Sequence, residues 1–160
     1  MRQLALACAA AAACALLLAC QVQGYAKGAP EGSCGDMVPQ HGVDPQKSPA
    51  PYTLTPVKAK DGSVSLTLKG GKTFKGFLVQ GRDASGKAVG SFKVTPGART
   101  VDCTGPNSAS GATHSGPEEK SSVSLTWEPK GVSGPITFWY TVAHNGGEFW
   151  VAQKTQSVAL

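Results

Sequence analysis

Past residue 24 the chain has no stretch with a helical hydrophobic period, and no second long apolar run follows the one from Leu4 to Cys20. The first absence argues against a helical bundle, and the second against a membrane span in the body of the chain. Signatures of catalysis are missing too. There is no G-x-S-x-G turn to present a nucleophilic serine and no G-x-x-x-x-G-K-[ST] loop to cradle phosphate. Lys69-Gly70-Gly71-Lys72 has the glycines without the framework and reads as a hairpin turn. No two of His41, His114 and His144 share the i, i+2 or i, i+4 spacing that would place two metal ligands on one element. Asn107-Ser108-Ala109 and Asn145-Gly146-Gly147 both lack the hydroxyl residue that an N-glycosylation acceptor needs. These absences point to a non-enzyme with no cofactor and no metal.

Acidic residues are scarce as well, 10 against 15 basic, for a formal charge of +5. This excess favours anionic surfaces but falls short of a nucleic-acid footprint. The N-terminal run, with Arg2 ahead of it, reads as a secretory signal peptide spanning residues 1–24, cut after Gly24. A lipoprotein box at Leu17-Leu18-Ala19-Cys20 is the alternative, and Leu18 fits it poorly. Residues 25–160 then form one domain, long enough to close a core without further help. Of five cysteines, Cys8, Cys14 and Cys20 lie in the leader, so Cys34 and Cys103 remain. An even pair in an oxidising compartment is most simply one disulfide.

What is present is alternation. Val64, Leu66 and Leu68 alternate with polar residues, as do Val123, Leu125 and Trp127, and Ile136, Phe138, Tyr140 and Val142 form a third row. Phe74–Arg82 is apolar on both faces at Phe77-Leu78-Val79, as a central strand is. Shorter strands are expected at Ala88–Val94, Val101–Thr104 and Glu148–Lys154, with a polar loop from Thr104 to Pro117. Pro30, Pro39, Pro45, Pro49, Pro51 and Pro56 block helix and interior strand alike, so Tyr25–Pro56 reads as an irregular arm tied down at Cys34. Short strands with frequent turn signals predict an all-β, immunoglobulin-like antiparallel sandwich, with a small barrel as the alternative.

The segment Glu31–Gln46 packs four potential metal ligands, Cys34, Asp36, Met37 and His41, into eight residues. Its simpler reading is a staple: Cys34 pairs with Cys103, Met37 plugs an apolar gap under the arm, and Asp36 and His41 fix the loop. Two surfaces are candidate binding sites. From Lys58 to Lys93 there are eight basic residues and only two acids, Asp61 and Asp83. Lys69, Lys72, Lys75 and Arg82 are the centre of this strip. If Asn145-Gly146 is a two-residue hairpin loop, Trp139 and Trp150 become diagonal neighbours on an outward face, a platform for sugar rings.

Gly28-Ala29-Pro30, Cys34, Met37, Pro39 and His41-Gly42 resemble the opening of a reeler (reelin-type) domain. Pro51-Tyr52, Gly76-Phe77-Leu78, Gly90-Ser91-Phe92, Cys103, Thr113-His114-Ser115, Trp127, Pro129 and Phe149-Trp150 continue the pattern in order. A lone reeler domain behind a signal peptide resembles the secreted insect defence proteins of the noduler type. The resemblance implies release into haemolymph, binding of microbial lipopolysaccharide, lipoteichoic acid or β-glucan, and engagement of the haemocyte surface; the chain is expected to be a monomer. The alternative is an extracellular matrix or adhesion module that binds host glycans or a protein partner.

Overall fold

Val64, Leu66 and Leu68 are buried while Ser65 and Lys69 are exposed, the period-two mark of a sheet with one face in a core. The computed structural model describes residues 25–160. The leader, its cut after Gly24 and the alternative at Cys20 therefore lie outside the described residues. The strands are β1 (Tyr52–Lys58), β2 (Val64–Phe74), β3 (Gly76–Arg82), β4 (Ser91–Val94), β5 (Ala98–Val101), β6 (Gly111–His114), β7 (Lys120–Glu128), β8 (Pro135–Asn145), β9 (Glu148–Lys154) and β10 (Val158–Ala159). They build two antiparallel sheets, one in the order β1-β2-β7-β4 and the other in the order β10-β8-β3-β6-β5, with β9 also paired to β8. The expected all-β sandwich is what the chain forms.

The facing sides of the sheets supply one core. Leu66, Leu68 and Trp127 of the smaller sheet meet Phe77, Val79, Phe138, Tyr140 and Val142 of the larger. Trp127 and Phe138 pack edge to face at 5.5 Å, and the Trp127 Nε1–H donates to the Val89 carbonyl at 2.9 Å, so the indole is buried without an orphaned donor. Every residue of β3 is buried. Its inner face belongs to this core. Its outer face lies under the N-terminal arm, where Cys34, Met37, Leu78 and Val101 form a second cluster.

Five elements differ from the sequence reading. The strand expected at Val101–Thr104 lies earlier, as β5, and shares only Val101 with that span. The arm ends at Pro51, because Tyr52 and Leu54 alternate into the core as β1; Pro56 is tolerated because β1 pairs only with β2 and is an edge strand. Gly70-Gly71 makes no hairpin. β2 runs on through it to Phe74 with an irregular register, because Tyr52 opposes Gly70 and leaves no room for a side chain there. Residues 88–94 do not return beside β3 as one strand: after a single bridge at Ala88 the chain crosses over, and Ser91–Val94 pairs with β7 in the other sheet. The expected loop from Thr104 to Pro117 contains β6, an interior strand between β3 and β5. Its Gly-Ala-Thr-His sequence offers no large apolar row. At Gly111 an added Cβ would lie 2.7 Å from Val101 and 3.0 Å from the Cys103 sulfur, so small residues are required there.

Candidate functional site

The arm crosses the outer face of the larger sheet and is fastened along its length. At its start His114 Nε2–H donates to the Tyr25 carbonyl (2.9 Å), while Nδ1 accepts from the Phe77 backbone N–H (3.2 Å). Arg99 donates to the carbonyls of Lys27 and Ala29, and the Ala29 N–H donates to Thr113 Oγ1. The Cys34–Cys103 disulfide follows. Arg82 donates to the carbonyls of Cys34 (2.8 Å) and Gly35 (3.0 Å), and Gln80 to that of Cys34 (2.9 Å). Met37 is buried at 1 % exposure, and Thr141 Oγ1–H donates to its carbonyl. Further along, His41 packs edge-on against Phe149, the Gln46 N–H donates to the Phe149 carbonyl, and Trp150 Nε1–H donates to the Ser48 carbonyl. The Val38 N–H bonds to Asp36 Oδ1, the loop-fixing role read for that residue.

Between arm and sheet lies a pocket of about 290 Å³. Met37 and Pro39 of the arm, Phe77 and Leu78 of β3 and Ala143 of β8 form its apolar walls. Tyr25, Lys75 and Asn145 also line it. Two histidines contribute, and burial lowers the pKa of both. In His114 both ring nitrogens are occupied, which fixes the neutral Nε2–H tautomer; His41 Nδ1 is buried with no partner among the described residues. The sequence reading noticed the motif residues on both walls but not the hollow between them, because their proximity depends on the disulfide and on β6.

The predicted binding residues do not gather in one place. Lys69 is exposed beside Gly70 on β2. Lys72 is ion-paired with Glu148 at 2.8 Å, and Lys75 is exposed at the crossover between sheets. Arg82 is 7 % exposed and committed to holding the arm, so it leaves the exposed strip. Elsewhere in the strip Lys93 is paired with Glu128, and Lys58 donates to the Ala159 carbonyl. The tryptophan platform is also corrected. β8 and β9 pair Asn145 with Glu148, then Ala143 with Phe149 and Val142 with Trp150, so a bulge at His144 slips the register by one residue. A one-residue slip turns every side chain to the opposite face. Trp150 therefore joins Val142 in the inter-sheet core at 4 % exposure, and Phe149 faces the arm. Trp139 stays on the outer face, with the Arg82 guanidinium 4.3 Å and the Lys154 ammonium 3.9 Å from its ring centre. His144 Nδ1 lies 2.7 Å from the Thr73 carbonyl, away from the Tyr25 and Phe77 segments that His114 holds.

Comparison with known proteins places this geometry. The family model of the Reeler domain matches residues 32–160. The chain is 38 % identical over 157 residues to the Hdd11 protein of Hyphantria cunea, which carries a defence-protein name, covering 91 % of this chain and 94 % of that one. It is 36 % identical over 152 residues to the defence protein l(2)34Fc of Drosophila melanogaster, covering 90 % and 94 %. Among solved structures, the human F-spondin reeler domain superposes with a TM-score of 0.57 over 72 % of this chain and 91 % of that one, at 13 % identity, a likeness of fold.

Proposed function

The chain belongs to the reeler domain family, and on that premise we propose that it is a secreted, non-catalytic defence protein that binds microbial envelope molecules. The observation that carries the reading is the near end-to-end match to relatives named as defence proteins. Fold alone decides little, because one scaffold hosts many functions. Exposed lysines supply the attraction to anionic polymers such as lipopolysaccharide and lipoteichoic acid. Lys69 and Lys75 carry most of it, and Lys72 contributes as far as Glu148 releases it. With Arg82 committed to the arm and Trp150 in the core, Trp139 is the aromatic of the expected platform left on the outer face, partly buried against the arm cluster and flanked by the Arg82 and Lys154 cations, so any glycan contact there is an edge contact. The protein acts as a rigid tag on the microbial surface, recognised there by haemocytes.

The test is a parallel pull-down of the secreted protein on whole bacteria, lipopolysaccharide, lipoteichoic acid, β-glucan, heparin and matrix protein. Retention on the microbial ligands in 0.15 M salt supports the proposal. Retention on heparin or matrix alone replaces it with an adhesion role.

A further inference from the structure

We propose that the pocket between the arm and the larger sheet binds the single acyl chain of an anionic amphiphile, with the acidic head at Lys75. Its size sets the scale. An apolar cavity of about 150 Å³ holds benzene; this one, at about 290 Å³, takes on the order of ten carbons. The walls select against a polar body. Thr141 Oγ1 is used by the Met37 carbonyl and the Ala152 N–H, and both nitrogens of His114 are engaged, which leaves His41 Nδ1 as the buried side-chain polar atom of the walls without a partner among the described residues. A sugar placed there loses its hydrogen bonds to water and gains few in return. A hydrocarbon chain loses nothing and removes apolar wall from water.

The rim selects the head group. Lys72 and Lys93 have acid partners, and Lys120 donates to the carbonyls of Lys75, Gly116 and Glu118, whereas Lys75 has no acid partner among the described residues. It is the cation at the pocket left to meet a carboxylate or phosphate. The pocket is also preformed. The disulfide, Arg82 and Thr141 pin the arm on one side of it and His114 pins it on the other, so little ordering accompanies binding. This inference stands apart from the envelope reading, since a free fatty acid and the anchor of a glycolipid present the same chemistry.

Titration calorimetry and native mass spectrometry of the secreted protein with dodecanoate, below its micelle concentration, test it. One-to-one binding is expected, with dodecyltrimethylammonium and hexanoate both weaker by about tenfold or more. Ala143→Leu fills the pocket and is expected to weaken dodecanoate at least tenfold with an unchanged circular dichroism spectrum. Lys75→Glu, an exposed change that leaves the walls intact, is expected to weaken dodecanoate severalfold and strengthen the cationic analogue. Failure of dodecanoate to saturate overturns the proposal. So does binding that a folded Ala143→Leu leaves untouched, or a crystal structure with residues upstream of Tyr25 filling the pocket. Competition between dodecanoate and lipoteichoic acid assigns the source to a glycolipid anchor, and independent binding of the two assigns it to the free acid; either outcome requires the pocket.

Discussion

Gly90 has a φ of 70°, and a Cβ built there would lie 2.3 Å from two atoms of the Trp127 ring. It marks the place where the chain leaves one sheet for the other over the buried indole. Gly90→Ala meets both a left-handed backbone, costing about 1–2 kcal/mol for a side chain, and a packed ring, costing about 1–3 kcal/mol. The expected loss is about 2–5 kcal/mol, read from urea unfolding midpoints. His114 gives the pH prediction. Burial lowers its pKa below the usual 6.5, and nearby Lys120 and Arg99 act in the same direction. The unfolded chain takes up this proton near pH 6.5 and the folded chain resists it, so the folded state binds fewer protons in that range. Stability from this residue is complete above about pH 6.5 and declines as the pH falls through the lowered value. His41 shifts in the same direction, so the measurement is a difference: the drop in unfolding midpoint from pH 7.5 to 5.5 is expected to be smaller in His114→Gln than in the parent. Equal drops refute the assignment. Single residues were legible where their chemistry is local. Met37 as a plug and Cys34 with Cys103 as a staple follow from residue type and number. Arg82 was misread, because an arginine in a strand carries no sign of the carbonyls that a distant arm brings to it.

Among elements the arm depends most on tertiary contacts. Its described residues have no strand of their own, and its backbone groups are satisfied largely by side chains of β3, β5, β6 and β8. The disulfide spans a separation of 69 residues, for which chain entropy gives about 4 kcal/mol. Replacing Cys34 and Cys103 together by Ala is expected to lower stability by about that amount. It should also make residues 25–51 the first site of limited proteolysis, with the strands still protected. The inward rows of β2, β7 and β8 were read correctly from the sequence, although β2 continues past the turn expected at Gly70-Gly71. Strand β6 was missed because its burial is satisfied by smallness rather than by bulk. The β8–β9 hairpin was expected, but its loop is Gly146-Gly147 rather than Asn145-Gly146, and its facing was reversed by a bulge that no turn residue announces.

Across the whole molecule, eight basic residues that are neighbours in sequence spread over both sheets, the crossover and the buried seam beneath the arm. Charge reversal at Lys69, Lys72 and Lys75 together is expected to weaken retention on lipoteichoic acid several-fold in 0.15 M salt. The effect on stability should stay within about 1 kcal/mol, since exposed ion pairs contribute little; the new repulsion between residue 72 and Glu148 is the largest part of it. Unchanged retention at low salt removes the lysines from the mechanism. The sequence by itself determined the layered all-β architecture, the Cys34–Cys103 disulfide and the family, because period-two burial, cysteine number and motif order are written along the chain. The tertiary structure decided which basic and aromatic side chains reach solvent, and it made the pocket under the arm. Those outcomes depend on register and on contacts between residues far apart in the chain, and a slip of one residue reverses them.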